Sequence, residues 1–236
     1  MLTSRYVRTS VIPALFVAVC SIACDMGTPA GPLVHEHHAV ETGAAKSARV
    51  EIDMAGGDLD VKSGAATLFE GDFNFNVPDL KPEIAYTVNG DTGSLKVTQG
   101  SASGNHENKW QLSLNETTPV DLDVKLSAGD AQLVLGKLNL RSLSIRLGAG
   151  DLTVDLRGTP AMSYKVNVTA GAGDTTIELP TSVGVSVNTT SLITDVNVSG
   201  LEQRGGRWIN PRAESSPVKV DLDVQHAIGD LRLRVE

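Results

Sequence analysis

The sequence predicts an all-β fold, a β-solenoid (β-helix-like) assembled from repeated strand, Gly-Asp corner, strand units. Three observations predict it. From Ser47 onward apolar and polar residues alternate with no stretch of helical period. A Gly-Asp pair recurs in five similar segments: 54–61 (MAGGDLDV), 126–135 (LSAGDAQLVL), 147–156 (LGAGDLTVDL), 170–179 (AGAGDTTIEL) and 226–235 (HAIGDLRLRV). Finally, the apolar positions change parity across each pair.

The parity change is what makes Gly-Asp a corner. Apolar residues fall four, six and eight positions before the Asp, as in Leu126, Val124 and Leu122 or Leu147, Ile145 and Leu143. After it they fall one, three and five positions on, as in Leu152, Val154 and Leu156. A strand has a side-chain period of two, so a switch of the inward set requires a bend or an extra residue between the halves. Gly supplies a backbone with positive φ, and Asp accepts hydrogen bonds from N–H groups that a corner leaves without partners. Small residues two before the Asp, Ala128, Ala149 and Ala172, fit a tight interior bend. The aspartates therefore read as structural rather than as catalytic acids or calcium ligands.

Asp130, Asp151 and Asp174 recur at steps of 21 and 23, and Thr194-Asp195 adds a degenerate corner after another 21. That period suits one coil, whose inner face is buried only by its neighbours, so the ends need caps. Leucine-rich repeats share the length, but their Leu and Asn pattern is missing. Calcium-binding nonapeptide repeats recur every nine residues, which is not seen. A β-sandwich is the alternative. With 41% hydrophobic but only 4% aromatic residues, the core must be filled by Val, Leu, Ile and Ala, which favours thin stacked layers.

Charge excludes one large class of partner. The formal charge of the 236 residues is -8, and without Arg5 and Arg8 of the leader 28 acids face 18 bases, or -10. Such a domain gains no counterion release from phosphate backbones, so nucleic acid is not an expected partner. The two cysteines, Cys20 and Cys24, both precede the β region. Disulfides, thiolate zinc sites and a cysteine nucleophile are thereby excluded from the domain.

The N-terminus reads as an address. Arg5 and Arg8 precede the apolar run 11–19, which is far shorter than the ~20 residues of a spanning helix, and Ser-Ile-Ala-Cys follows. Residues 1–23 are thus expected to be a signal peptide. The ending resembles a lipobox, in which Cys24 would be acylated and anchor the chain on the extracytoplasmic side of a bacterial membrane. Ser21 stands where Leu is usual, so ordinary cleavage with a soluble product is the alternative. Residues 24–47 are expected to be a flexible tether carrying His35, Glu36, His37 and His38, and residues 48–236 the solenoid domain. On a disordered chain those histidines lack a preorganised second shell, so no metal site is assigned to them.

Two stretches interrupt the alternation, 98–109 and 199–217. Exposed loops on rigid scaffolds commonly carry binding, and the second holds Arg204, Arg207, Trp208 and Arg212 in an acidic protein, making these the candidate partner-binding residues. Trp208 has an alternative reading as a cap over the domain end. His106 stands in the first loop, and His226 in the core-facing slot that Leu126 and Leu147 fill elsewhere. Neither is paired in sequence with a nucleophile, and no hydrolase, zincin or phosphate-loop motif occurs. No catalytic residue and no cofactor are assigned. The enzyme alternative is a polysaccharide-acting β-helix, resting on the outward acids Asp121, Asp123, Asp155, Glu178, Asp221 and Asp223.

The Gly-Ala-Gly-Asp corners together with the ending GLEQRGGRWINPRAESSPVKVDLDVQHAIGDLRLRV resemble the bacterial toast-rack family over about residues 48–236. That family includes adhesin-type domains and the C-terminal domain of cell-wall-active antibiotic response proteins. The resemblance implies a solenoid-like fold, an envelope role in adhesion or stress response, and no defined active site. The antibiotic-response members join this domain to membrane helices, which are not seen here. The expectation is therefore a lipid-tethered scaffold whose partner is an envelope protein or cell-wall polymer, with an accessory role in envelope-stress sensing as the alternative.

Overall fold

The computed structural model describes residues 29–235 apart from 103 and 105. β1 (Val34–Val40) precedes the first corner unit, β2 (Ser47–Gly56) and β3 (Asp58–Ser63). The chain then leaves the repeat through β4 (Phe69–Phe75), a 3-10 turn at Pro78–Leu80 and the hairpin β5 (Glu83–Asn89) and β6 (Thr92–Thr98), and returns in β7 (Asn108–Leu114). Three corner units follow: β8 (Val120–Ala128) with β9 (Ala131–Val134), β10 (Leu140–Ala149) with β11 (Leu152–Asp155), and β12 (Tyr164–Ala172) with β13 (Thr175–Leu179). The last elements are β14 (Gly184–Ser199), the small hairpin β15 (Glu202–Arg204) and β16 (Arg207–Ile209), and β17 (Lys219–Val235).

Parallel pairing stacks these units into seven coils among the described residues: β6/β7, β2/β3, β8/β9, β10/β11, β12/β13, β17 and β14. The predicted solenoid is the observed fold. The parallel order is incompatible with the sandwich alternative, whose sheets are antiparallel. β14 and β17 run unbroken past the corner, which joins both faces of the coils into one 17-stranded sheet.

The stacking is in register, so like residues form continuous rows. One inward row reads Leu95, Val50, Leu122, Leu143, Val166, Leu222 and Val187, and on the other face Leu112, Val61, Leu133, Val154, Ile177 and Leu233 align. All of these are buried. Each such side chain contributes about 1.5–3 kcal/mol on burial, and none of it is available to a coil standing alone. The aromatic bulk gathers at one end, where Phe73 meets Trp110 edge to face at 5.2 Å beneath the antiparallel strands β4 and β1.

At the corner, Gly57, Gly129, Gly150, Gly173 and Gly229 share φ between 123° and 126°. They stack so closely that a Cβ on Gly150 would lie 2.0 Å from the Gly129 carbonyl oxygen, and one on Gly173 2.0 Å from that of Gly150. The neighbouring aspartates link the coils. Asp130 accepts the Asp151 N–H at 2.9 Å, Asp151 accepts that of Asp174 at 2.9 Å, and Asp174 accepts that of Asp230 at 3.0 Å. Asp174 also pairs with Arg232 at 2.9 Å. The Asp230 N–H, and after it the guanidinium, hold the Asp174 carboxyl below its ordinary range.

Two expectations need correction. Ala128, Ala149 and Ala172 face solvent rather than an interior bend, and Ile228 occupies the same place in its coil at 54% exposure, so no steric demand for a small residue exists there. Residues 34–40, assigned to the tether, form β1, which pairs antiparallel with all of β4 from Val34 opposite Phe75 to Val40 opposite Phe69. Inward-facing phenylalanines of β4 give even a histidine-rich segment an apolar surface on which to lie. The chain order is also not the coil order. β2/β3 sits between the coils of 92–114 and 120–134, and β17 between those of 164–179 and 184–199. The signal peptide 1–23 and Cys24 lie outside the described residues.

Two predictions follow from the corner. Gly150→Ala combines a left-handed backbone, about 1–3 kcal/mol, with overlap against fixed backbone, about 1–3 kcal/mol. Chemical denaturation should show a loss in that range or failure to fold, whereas Gly90→Asn, at φ 59° with nothing within 4 Å of its Cβ, should cost under about 1 kcal/mol. Because the folded Asp174 carboxyl titrates below its unfolded value near 3.8, its contribution is complete above that pH and is lost as pH falls through the lower folded value. The Tm difference between wild type and Asp174→Asn should therefore be widest near neutrality and close on acidification below the ordinary carboxylate value near 3.8.

Candidate functional site

The predicted loop residues lie at the β14 end of the stack, on the last coil. β16 pairs antiparallel with β14 only at Ser186 with Ile209 and Val187 with Trp208, and β15 pairs in turn with β16. So short a hairpin is marginal by itself, and Asn210 fastens it. Asn210 is 2% exposed, its Oδ1 accepts the Val185 N–H at 2.9 Å, and its Nδ2 donates to the Val183 carbonyl at 2.8 Å. Its own N–H donates to the Val185 carbonyl at 3.2 Å. Sequence reasoning passed over Asn210, although an Asn directly before Pro211 at a strand end is a recognisable turn signal.

The structure divides the four predicted residues into two pairs. Trp208 is half-buried and packs against the core, and Arg207 donates from Nε to Ser186 Oγ at 2.6 Å with a guanidinium nitrogen 3.8 Å from Asp221. These two hold the end cap, as the alternative reading of Trp208 had it. Arg204 and Arg212 project outward. Arg204 pairs with Glu202 at 3.0 Å and Glu214 at 3.7 Å, all three well exposed, beside a cavity of about 160 Å³ that Ile209, Asn210 and Pro211 also line. Arg212 is exposed on the following turn, where its carbonyl accepts the Ser216 N–H at 2.9 Å. A mixed-charge surface of this kind suits polar contact with a partner rather than bond-making chemistry.

The other loop lies over the β2–β3 corner, beside a cavity of about 650 Å³ lined in part by His106, Glu107 and Lys109. Asn108, 6% exposed, anchors it through Nδ2, which donates to the Gly56 carbonyl and, at 3.0 Å, to Gln99 Oε1. His226 is 2% exposed in the inward row, with Nε2 3.0 Å from the Gly173 carbonyl oxygen, the satisfied interior histidine its register predicts.

The outward acids are interleaved with bases. Asp121 meets Arg141 and accepts from Ser142 Oγ at 2.8 Å; Asp123 meets Arg146 at 2.7 Å; Arg157 reaches both Asp155 at 2.8 Å and Glu178 at 2.6 Å. The side-chain hydrogen bond from Arg157 holds the Asp155 carboxyl below its usual range. Arg141 reaches Asp121 from a bulge that shifts the β10–β8 register between Leu140 and Ser142. Basic side chains thus stand among these acids, which do not form an open stripe of carboxylates along a groove.

Comparison with known proteins sharpens the picture. The model of the C-terminal domain of the cell wall-active antibiotics response protein LiaF matches residues 127–233. The crystal structure of a "putative cell adhesion protein" from Clostridium sporogenes ATCC 15579 superimposes with a TM-score of 0.79 at 25% identity, over 87% of this chain and 100% of that one. A "putative adhesin" from Bacteroides fragilis NCTC 9343, 9% identical, covers 86% of this chain and 98% of its own with a TM-score of 0.28, too loose to bear on the fold. No curated protein matches. The model of the N-terminal domain of toast_rack, DUF2154, covers residues 30–178, from just before β1 through five of the stacked coils, and on that match the chain belongs to the toast-rack family.

Proposed function

We propose that the protein is a non-enzymatic scaffold of the bacterial envelope, tethered through Cys24 on the extracytoplasmic side, which presents its β14 end to an envelope protein or cell-wall polymer. The observation that carries this reading is the use of the polar groups. Asp130, Asp151 and Asp174 bind the next coil's backbone and Asp121, Asp123, Asp155 and Glu178 are occupied by guanidinium groups, while Arg204 and Arg212 stand on a fastened but solvent-facing cap. A rigid body with adaptable charge at one end suits recognition. The match to an antibiotic-response domain and the likeness to a protein named for adhesion support an envelope setting. The former also favours a second reading, an accessory of envelope-stress sensing.

The cap and the anchor are tested separately. Deleting 199–217 would remove Asn210 and Trp208 and damage the fold, so charge reversal is the sharper probe. Arg204→Glu with Arg212→Glu should shift stability by no more than about 0.5 kcal/mol, as expected of exposed sites, yet abolish crosslinking of the protein to its partner in intact envelopes. Unchanged crosslinking would remove the β14 end from consideration. For the anchor, full-length protein should partition into detergent and Cys24→Ala should not; identical partitioning of the two would overturn the lipid tether.

A further inference from the structure

We propose that His35 and His37 form a binding site for a borderline divalent transition-metal ion of the zinc and copper class on the outer face of β1. Residues two apart on a strand share a face and lie about 6.6–6.8 Å apart along it, close enough for two imidazoles to close on one ion with metal–nitrogen bonds of about 2.0–2.1 Å. Pairing with β4 sorts the strand into two faces. Glu36 and His38 lie opposite Phe73 and Gly71 and share the other face, where Glu36 pairs with Lys81 at 2.7 Å and His38 at 3.1 Å, and the His38 ring meets Phe73 edge to face. His35 and His37 turn outward together, opposite Asn74 and Asp72.

Those two opposite residues supply what a metal-binding histidine pair requires. His37 Nδ1 lies 2.8 Å from Asp72 Oδ1, and His35 Nδ1 bonds Asn74 Oδ1. With each Nδ1–H donated to an oxygen, both rings adopt the tautomer that leaves the Nε2 lone pair free, the arrangement in which a carboxylate or amide orients a ligating imidazole. Both residues are exposed, with 60% of the His37 side chain accessible, so an ion has an entry path and retains open positions for water or an outside ligand. Imidazole donors select the zinc, copper and nickel end of the divalent series over magnesium or calcium. The site exists because 34–40 is a strand; on a flexible tether the same four residues would lack both the shared face and the orienting partners.

The test uses tag-free full-length protein in chelator-treated buffer, titrated with Cu²⁺ and Zn²⁺ and followed by calorimetry and, for copper, by electron paramagnetic resonance. One ion per chain with nitrogen coupling from two imidazoles is expected. His35→Ala or His37→Ala should weaken binding at least tenfold, and Asp72→Ala by about 10- to 100-fold, with metal-free Tm unchanged, while His38→Ala has no effect. Retention of the same stoichiometry and affinity in the His35→Ala/His37→Ala double variant, or a copper spectrum without nitrogen coupling, would overturn the proposal.

Discussion

The structure depends on a requirement of in-register stacking: every internal coil must turn at the same height with the same backbone shape. Two groups meet it. Glycines at φ near 125° let successive carbonyl oxygens approach within a distance that any Cβ would occupy. The aspartates beside Gly129, Gly150 and Gly173 each accept an N–H from the following coil, so there the residue that makes the corner also bonds it to its neighbour. A crowded N–H without a partner costs about 1–3 kcal/mol, which these three rungs avoid. Arg232 adds a charge to the Asp174 rung, and that rung is where the carboxyl is held low.

The corner was legible in the sequence because it has two independent signatures, a repeated dipeptide and a parity switch. Ala131, Leu133 and Leu135 are buried one, three and five residues after Asp130, as the pattern requires. Coil order was not legible, since every coil presents the same inward pattern and nothing in β2/β3 or β17 marks it as an insertion between others. Nor was β1, whose VHEHHAV carries too little apolar character to read as a strand; its pairing is provided by β4. At the candidate cap, the sequence picked out Arg204, Arg207, Trp208 and Arg212 as a group, but separating anchors from exposed groups required Asn210, which binds backbone on two sides.

Inserting β2/β3 and β17 one place inside the stack leaves different elements at the two edges. One end is closed by β4 and β1 with the three phenylalanines of β4 beneath, and by β5 against β6. At the other, β16 covers β14 only at Ser186 and Val187. β14 pairs Thr194 with Gly229 and Asp195 with Asp230, so the degenerate corner holds its register, and Leu192 and Ile193 stand 81% and 73% exposed just before it. The glycine column ends there, with Thr194 standing opposite Gly229 in the place of the next glycine.

Nearest-neighbour stacking also determines where function can reside. Each interior coil is bound on both sides through every second side chain and through its corner, so a change at one inward position is felt by both neighbours. The outward rows are constrained less tightly, but Asp123 with Arg146 and Asp155 with Arg157 show them occupied in cross-coil and local charge pairing. The end strands carry no such double obligation. β1 lies on the stack by one edge only and can present His35 and His37 outward without disturbing a core row, just as the cap beyond β14 can carry Arg204 and Arg212 on groups that Asn210 and Trp208 hold in place. The freedom of the end strands to carry exposed polar groups is therefore a consequence of the same stacking that constrains the interior coils.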